Sequence, residues 1–159
     1  MPKLITTHPD VTDREPVWSM IRACVIGQRA VKELGDKLLP RPNASDTSQE
    51  NQDRYSLYLE RAVFYNITGR TLRGLVGYVF AKEPVVTLPQ PLQALEADID
   101  GAGTTLDQQA KRTLGAALSL GRCGLLVDYP AVEEGKVATK QDQAAGAIRP
   151  TVIFYEPED

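Results

Sequence analysis

The sequence predicts an α+β fold, with a predominantly helical N-terminal half followed by a small mixed or antiparallel sheet that has one or two covering helices. Helical periodicity of apolar residues dominates positions 12 to 82, whereas CGLLVDY at 123–129 and TVIFY at 151–155 are typical of strands. The chain has 159 residues, of which 42% are apolar and 25% charged, as in one globular domain with a core. We therefore expect a single domain over residues 1–159.

The first helix is predicted to begin after Thr12 and to run to about Gly35. The run TDRE has the form of a capping box, and Pro16 suits a first helical turn. Gly27 is expected to weaken or bend the helix, because glycine costs about 1 kcal/mol relative to alanine in a helix interior. Trp18 lies off the centre of the apolar stripe that we expect to face the core, which consists of Val17, Met20, Ile21, Cys24 and Val25.

Residues 40–51 form a predicted surface linker, because two prolines stand there among Asn, Ser, Asp and Thr. The pattern from Gln52 to Lys82 is helical again. It fits one long helix or two helices that meet near Asn66.

The second half of this segment carries a clear apolar stripe that three glycines interrupt. Three glycines in one helix cost about 3 kcal/mol in propensity, so we expect close approach of another backbone to offset them. That backbone belongs to this chain or to another copy. The residues expected to make this helix-packing contact are Gly69, Leu72, Gly74, Leu75, Val76, Gly77, Val79 and Phe80.

Shorter elements are expected beyond Pro84, which disfavours the helical conformation at Glu83. VVTL at 85–88 is predicted to form a short strand, and a brief helix is expected over 91–98 before the turn DGAG at 100–103. The next helix is predicted to open with a capping box of Thr105 and Gln108 and to end near Gly121.

The two apolar runs after this helix are predicted to form partner strands, and CGLLVDY is apolar enough for a buried one. Between them, residues 130–149 are rich in Ala, Gly, Gln and Lys and form a second predicted linker. A connection of this length without regular structure is uncommon in a compact domain, so we expect mobility there or a role in a larger assembly.

No group of residues has the spacing of a catalytic or metal-binding site, so we expect no enzyme activity and no cofactor. His8, the single histidine, stands without a nucleophile near it in sequence. Asp98, Asp100 and Asp107 lack the ligand order of a calcium loop, and Asp128 before Tyr129-Pro130 fits a turn. Cys24 and Cys123 are expected to be small buried apolar residues.

The charge pattern does not indicate a nucleic-acid binding face. Eighteen basic and twenty-one acidic residues give a net charge of −3, and the basic residues are spread along the chain. A tight DNA binder collects Lys and Arg on one face to neutralise phosphates. No run approaches the ~20 apolar residues of a membrane-spanning helix, and no signal peptide is recognisable, so we expect the protein to stay in the cytoplasm where it is made.

Several motifs occur together in an order that resembles the N-terminal part of tailed-phage portal proteins. GYVFAKEP ends a helix, LGRCGLLVDYP encloses a strand between glycine and proline, and RPTVIFYEPED leads a strand into a proline-acid corner. LPRP, ERAVFYN and DGAGTTLDQQAKRTL are similar to segments of the portal branch long described only as a domain of unknown function. The likeness covers nearly the whole chain, and the motifs are specific as a set.

The resemblance implies a structural, non-catalytic role. It implies that the chain corresponds to the outer wing of a portal subunit, without the stem, clip and crown, and therefore to a fragment of a longer subunit. Full-length portals form homo-oligomeric rings, commonly of twelve subunits, at the capsid vertex, where DNA is packaged and ejected without specific binding. The implied partners are capsid, scaffold, terminase and tail adaptor proteins, in the virion and in the host cytoplasm during assembly. No membrane is involved.

Two other functions remain open on the sequence alone. One is a small non-enzymatic interaction or adaptor module that uses its exposed loops as contact surfaces. The other, less favoured, is an enzyme in which Asp128 acts with a partner that the sequence does not reveal.

Overall fold

The computed structural model describes residues 8–129 and 149–157. It confirms the α+β class, with helices in the N-terminal half and a two-stranded antiparallel sheet near the C-terminus of the described part. The chain divides into two compact units, Met1–Leu75 and Val76–Asp159, here called unit 1 and unit 2. Each unit is described by itself below.

Unit 1 begins with helix α1, Pro9–Ile26, followed by helix α2, Gln28–Glu33. The start predicted after Thr12 is wrong, because the His8 ring accepts a hydrogen bond from the Asp10 main-chain N–H and Pro9 occupies the first turn. The predicted single helix to Gly35 is also interrupted. Gly27 adopts a φ of 117°, which an L side chain rarely adopts, and so separates the two helices.

The buried face of α1 differs from the predicted stripe. Trp18 is 2% exposed and Ala23 is also buried, whereas Val17 and Met20 of the predicted stripe are exposed. Trp18 has the largest apolar surface of any residue in the helix, so its burial determines which side turns inward. The spacing of smaller apolar residues did not reveal this.

Helix α3, Gln49–Arg61, begins inside the predicted linker 40–51, with Ser48 as its N-cap. Asn51 is buried and donates hydrogen bonds to the carbonyl oxygens of Asn43 and Asp46 at 2.8 and 2.6 Å. Two main-chain carbonyl groups of the connection are thus hydrogen-bonded by a side chain in the first turn of the helix that follows it.

Helix α4, Ile67–Val79, is separate from α3, so the alternative of two helices is the correct one. Residues 62–66 between them have no regular structure. Asn66 provides the N-cap of α4, since its Oδ1 accepts a hydrogen bond from the Gly69 N–H at 2.7 Å. The division between the two units falls within α4.

In unit 2 the strand predicted at 85–88 does not form, and residues 83–89 have no regular structure. A strand requires a pairing partner, and none of the described residues forms a main-chain hydrogen bond with residues 85–88. The brief helix predicted over 91–98 appears as a 3₁₀ turn, Gln90–Leu92, and helix α5, Ala94–Ala97.

Helix α6, Leu106–Leu120, confirms the predicted capping box. The Thr105 hydroxyl accepts from the Gln108 N–H, and the Gln108 side chain accepts from the Thr105 N–H. Gly121 ends the helix in the left-handed conformation, with a φ of 81°.

The two predicted strands form and pair antiparallel as β1, Gly124–Asp128, and β2, Thr151–Tyr155, with Leu126 opposite Ile153. Helix α6 contacts β2, since Gln109 donates to the Val152 carbonyl and the Arg112 guanidinium lies 4.1 Å from the centre of the Phe154 ring. Nearly all of the predicted linker 130–149 lies outside the described residues.

Candidate functional site

The predicted helix-packing residues in unit 1 have different environments. A Cβ added to Gly69 would lie 2.3 Å from the Val25 carbonyl oxygen, so the α4 backbone approaches the end of α1 there. A Cβ added to Gly74 would meet no atom within 4 Å in the described part of the chain. Leu72 is half-buried, and Leu75 is exposed.

The remaining helix-packing candidates lie in unit 2. Val76 and Phe80 are half-buried, whereas Val79 is exposed and a Cβ added to Gly77 would have open space around it. The Lys111 ammonium lies 5.4 Å from the centre of the Phe80 ring, which fits a cation–π contact.

Phe80 is part of a groove of about 620 Å³ in unit 2. Lys111 on its rim forms an ion pair with Asp107 at 2.6 Å. Among the residues that the structure describes, Glu83 and Glu96 form no ion pair, so the rim retains an excess of negative charge. The groove is lined by the apolar residues Phe80, Pro84, Val86, Leu106 and Ala110 and by the charged residues Glu83, Glu96, Asp107 and Lys111.

The acidic loop from Asp98 to Thr104 satisfies its own polar groups. Asp98 accepts hydrogen bonds from the N–H groups of Gly101 and Gly103, and Asp100 accepts from those of Ala102 and Thr104. Hydrogen bonds from the Thr104 side chain and from the Ala102 N–H lower the pKa of Asp100 to about 2. These carboxylates therefore hold the loop, in agreement with the turn predicted from the sequence.

The outer edge of β1, meaning the side that faces away from β2, is the most exposed part of the sheet. Leu125, Leu126 and Val127 are 52%, 50% and 68% exposed, so the prediction of a buried strand is wrong. The residues of β2 opposite them are half-buried. Apolar side chains on both faces of β1 thus remain accessible.

The direction of the β1 main-chain groups follows from β2. The Val152 N–H donates to the Ile99 carbonyl at 2.8 Å, and the Val152 carbonyl accepts from Gln109, so both groups point away from β1. Val152 and Val127 are therefore a non-hydrogen-bonded pair. Because this pattern alternates along antiparallel strands, the N–H and C=O groups of Leu125 and Val127 point to the outer edge of β1.

No hydrogen bond joins those four groups to any other described residue. Sequence reasoning missed this edge because it treated the two strands only as partners of each other. The signal was present, since a sheet predicted to contain two strands leaves one side of each strand without a sheet partner.

The other residues considered from the sequence lie in ordinary environments. His8 caps α1, and the Asp128 carboxylate accepts from the N–H of Tyr129 at 2.8 Å, which fits the predicted turn. Cys24 and Cys123 are both half-buried free thiols, less buried than predicted. Within 8–129 and 149–157, no cluster of three or more His, Cys, Asp or Glu side chains has the arrangement to hold a metal ion.

The described helices include none with the length and apolar character to cross a membrane. No protein-family model matches the chain, and no curated protein has a significantly similar sequence.

Proposed function

We propose that this chain is the wing part of a structural subunit of a phage portal, the ring at the capsid vertex through which DNA is packaged and ejected. The observation that carries the proposal is the order of the motifs GYVFAKEP, LGRCGLLVDYP and RPTVIFYEPED along one short chain. The α+β class and the antiparallel pairing of the last two motifs are compatible with it.

The distribution of apolar side chains supports a role in assembly. In unit 2, Ile99 is the buried apolar residue of the described part, whereas the large apolar side chains of Tyr78 and Val85 are exposed. In unit 1, exposed apolar residues also outnumber buried ones. These exposed apolar side chains are available for contact with neighbouring subunits.

The charge of the chain also fits a ring through which DNA slides. Strong phosphate binding would retard the DNA, and an acidic chain without a basic cluster avoids it. In this proposal the subunit assembles with copies of itself, commonly twelve, and contacts capsid, scaffold, terminase and tail adaptor proteins. Its location is the virion, and the host cytoplasm during assembly.

The proposal implies a longer subunit, of which this chain is the wing part, and we call that longer subunit the uninterrupted gene product. The experiment that tests the proposal is to purify it, measure its mass in solution and image it by electron microscopy. We expect rings of several hundred kilodaltons with a central channel wide enough for duplex DNA. A gene product that stays monomeric, or that forms no channel, would contradict the proposal.

The groove in unit 2 favours a second candidate function, that of a non-enzymatic adaptor. Its apolar lining and the carboxylates of Glu83 and Glu96 suit a peptide with an apolar anchor flanked by Lys or Arg. A labelled peptide with a central Leu and Arg on both sides should bind with salt-sensitive fluorescence anisotropy, and Glu96→Lys should weaken that binding. Equal binding by the variant would exclude this role for the groove.

A further inference from the structure

The outer edge of β1 combines two properties that together favour an added strand. The N–H and C=O groups of Leu125 and Val127 point away from β2, and no other described residue satisfies them. The side chains of Leu125, Leu126 and Val127 are half or more exposed. Water can bond the main-chain groups, but an added strand also places its own side chains beside those of β1 and shields part of their apolar surface from water.

We propose that β1 pairs with β1 of a second copy of this chain, antiparallel and around a two-fold axis that passes beside Leu126. The two sheets then form one four-stranded sheet in the order β2, β1, β1 and β2. The edge of β2 cannot serve in the same way, because Val152 on that edge is already bonded to Ile99 and Gln109.

The register between the two copies follows from the positions of the outward-facing N–H and C=O groups of Leu125 and Val127. An antiparallel hydrogen-bonded pair requires two residues whose N–H and C=O groups both face the partner strand. Leu125 opposite Val127 of the second copy meets this requirement, and the two-fold axis repeats the pair. The arrangement uses the four groups of each copy that no described residue bonds, and it forms four hydrogen bonds between the copies. It overlaps Gly124–Asp128 completely with the same strand of the second copy.

Side-chain chemistry agrees with this register. Leu126 faces Leu126 of the second copy in a non-hydrogen-bonded pair, in which side chains approach most closely. Asp128 lies opposite Gly124 of the second copy and not opposite another carboxylate. If the strand spacing continues back to residue 122, Arg122 of the second copy lies diagonal to Asp128 on the same face of the sheet, about 7–8 Å away. The two-fold axis repeats this pair, so opposite charges lie near each other at both ends of the contact.

This contact is independent of the proposed portal function. A two-fold contact uses the same surface on both copies and closes at two, so it cannot by itself generate a ring. Its test uses the 159-residue chain and measures pairing of two copies, whereas the portal proposal is tested on the uninterrupted gene product. Either proposal can therefore fail without the other.

The first experiment is a dilution series in sedimentation velocity, with circular dichroism to verify folding. We expect the wild-type chain to show a species of twice the 17.4 kDa monomer mass. Leu125→Pro removes an N–H that makes no main-chain bond among the described residues, so we expect the fold to persist. Because two of the four hydrogen bonds between copies are lost, the dimer dissociation constant should rise about 10–100-fold.

Val85→Pro is the matched control, because Val85 is 96% exposed and its N–H is likewise unbonded among the described residues. It should leave dimerisation unchanged. A wild-type chain that stays monomeric throughout the series would overturn the proposal. A Leu125→Pro dimer as stable as the wild-type dimer would also overturn it. Loss of the dimer in Val85→Pro would overturn it as well, because it would indicate that residues 85–88, and not β1, form the contact between copies.

The second experiment reads the register and does not depend on proline. In a Cys24→Ala, Cys123→Ala background, Leu126→Cys should form a disulfide-linked dimer on mild oxidation, because the two Cβ atoms lie opposite each other at the axis. Val127→Cys should not, since the predicted register separates its two copies by more than the 7 Å that a disulfide allows. Linking through position 127 but not 126 would exclude this register, and linking through neither would exclude the contact.

Discussion

Arg149 donates from its guanidinium to both the carboxylate and the main-chain carbonyl of Asp98, which precedes it by 51 positions. Both side chains are partly buried, and Asp98 also accepts hydrogen bonds from the loop N–H groups of Gly101 and Gly103. One carboxylate thus connects the acidic loop to the residue that precedes Pro150 and β2. We expect this connection to make the stability of unit 2 sensitive to acid.

Hydrogen bonding from Arg149, and then from the Gly103 N–H, lowers the pKa of Asp98 below its ordinary value of 3.8. The ionised carboxylate therefore contributes stability at pH values above about 3.8, and this contribution is lost as the pH falls through the lower folded-state pKa. We expect the thermal midpoint of the wild type to fall below pH 3.8. Asp98→Asn should be less stable at pH 7 and should change less over the acid range.

Arg149→Gln provides the companion measurement to Asp98→Asn. Because the two residues act as a pair, the double variant should lose less stability than the sum of the two single losses. Some acid sensitivity should remain in all variants, since the pKa of Asp100 is about 2. An Asp98→Asn protein whose thermal midpoint falls with decreasing pH as steeply as that of the wild type would contradict the role assigned to Asp98.

Two glycines of α4 should respond in opposite directions to alanine. At Gly69 an added methyl would lie 2.3 Å from the Val25 carbonyl oxygen, so Gly69→Ala should destabilise unit 1 by about 1–3 kcal/mol. At Gly74 it meets open space, so Gly74→Ala should stabilise the helix by up to about 1 kcal/mol. Urea unfolding followed by the fluorescence of Trp18 measures both, and equal effects would refute the distinction.

Asn66 should be more important than an ordinary N-cap. Its Oδ1 accepts from the Gly69 N–H, and its Nδ2 donates to the Val25 carbonyl at 2.9 Å. Asn66→Asp keeps the acceptor but loses the donor and places a carboxylate beside a carbonyl oxygen. We expect both Asn66→Asp and Asn66→Ala to cost about 1–3 kcal/mol in urea unfolding, although aspartate is as good an N-cap as asparagine elsewhere. An Asn66→Asp protein of wild-type stability would show that the cap alone matters.

Gln109 should protect the sheet of unit 2. The residue is 5% exposed, and its Nε2 donates to the Val152 carbonyl at 3.0 Å. Gln109→Glu has nearly the same shape but cannot donate when ionised, so the carbonyl loses its partner at a cost of about 1–3 kcal/mol. Amide hydrogen exchange of β1 and β2 at pH 7 should accelerate. Unchanged exchange would mean that this bond does not hold β2.

Local signals in the sequence accounted for several elements. The side chains of Thr105 and Gln108 form their capping box with neighbouring main-chain groups, so four residues contain the whole interaction. Gly121 ends the same helix for an equally local reason. The two strands were recognisable because their apolar, β-branched composition differs from that of the surrounding chain.

Other features could not be read from local patterns. VVTL at 85–88 has strand composition but no strand beside it, and Gly69 and Gly74 look alike in sequence although only Gly69 meets another backbone. The face of α1 that is buried depended on the tertiary packing of Trp18. The exposure of the β1 side chains depended on which other described segments pack against that strand.

By itself the sequence determined the α+β class, both caps of α6, the pairing of two C-terminal strands and the motif order on which the proposed function depends. The tertiary structure decided which helix face is buried, which glycine lies against another backbone and which main-chain groups of β1 have no partner among the described residues. The physical reason is range: caps and propensities arise between residues a few positions apart, whereas burial and strand pairing depend on segments that only folding brings together.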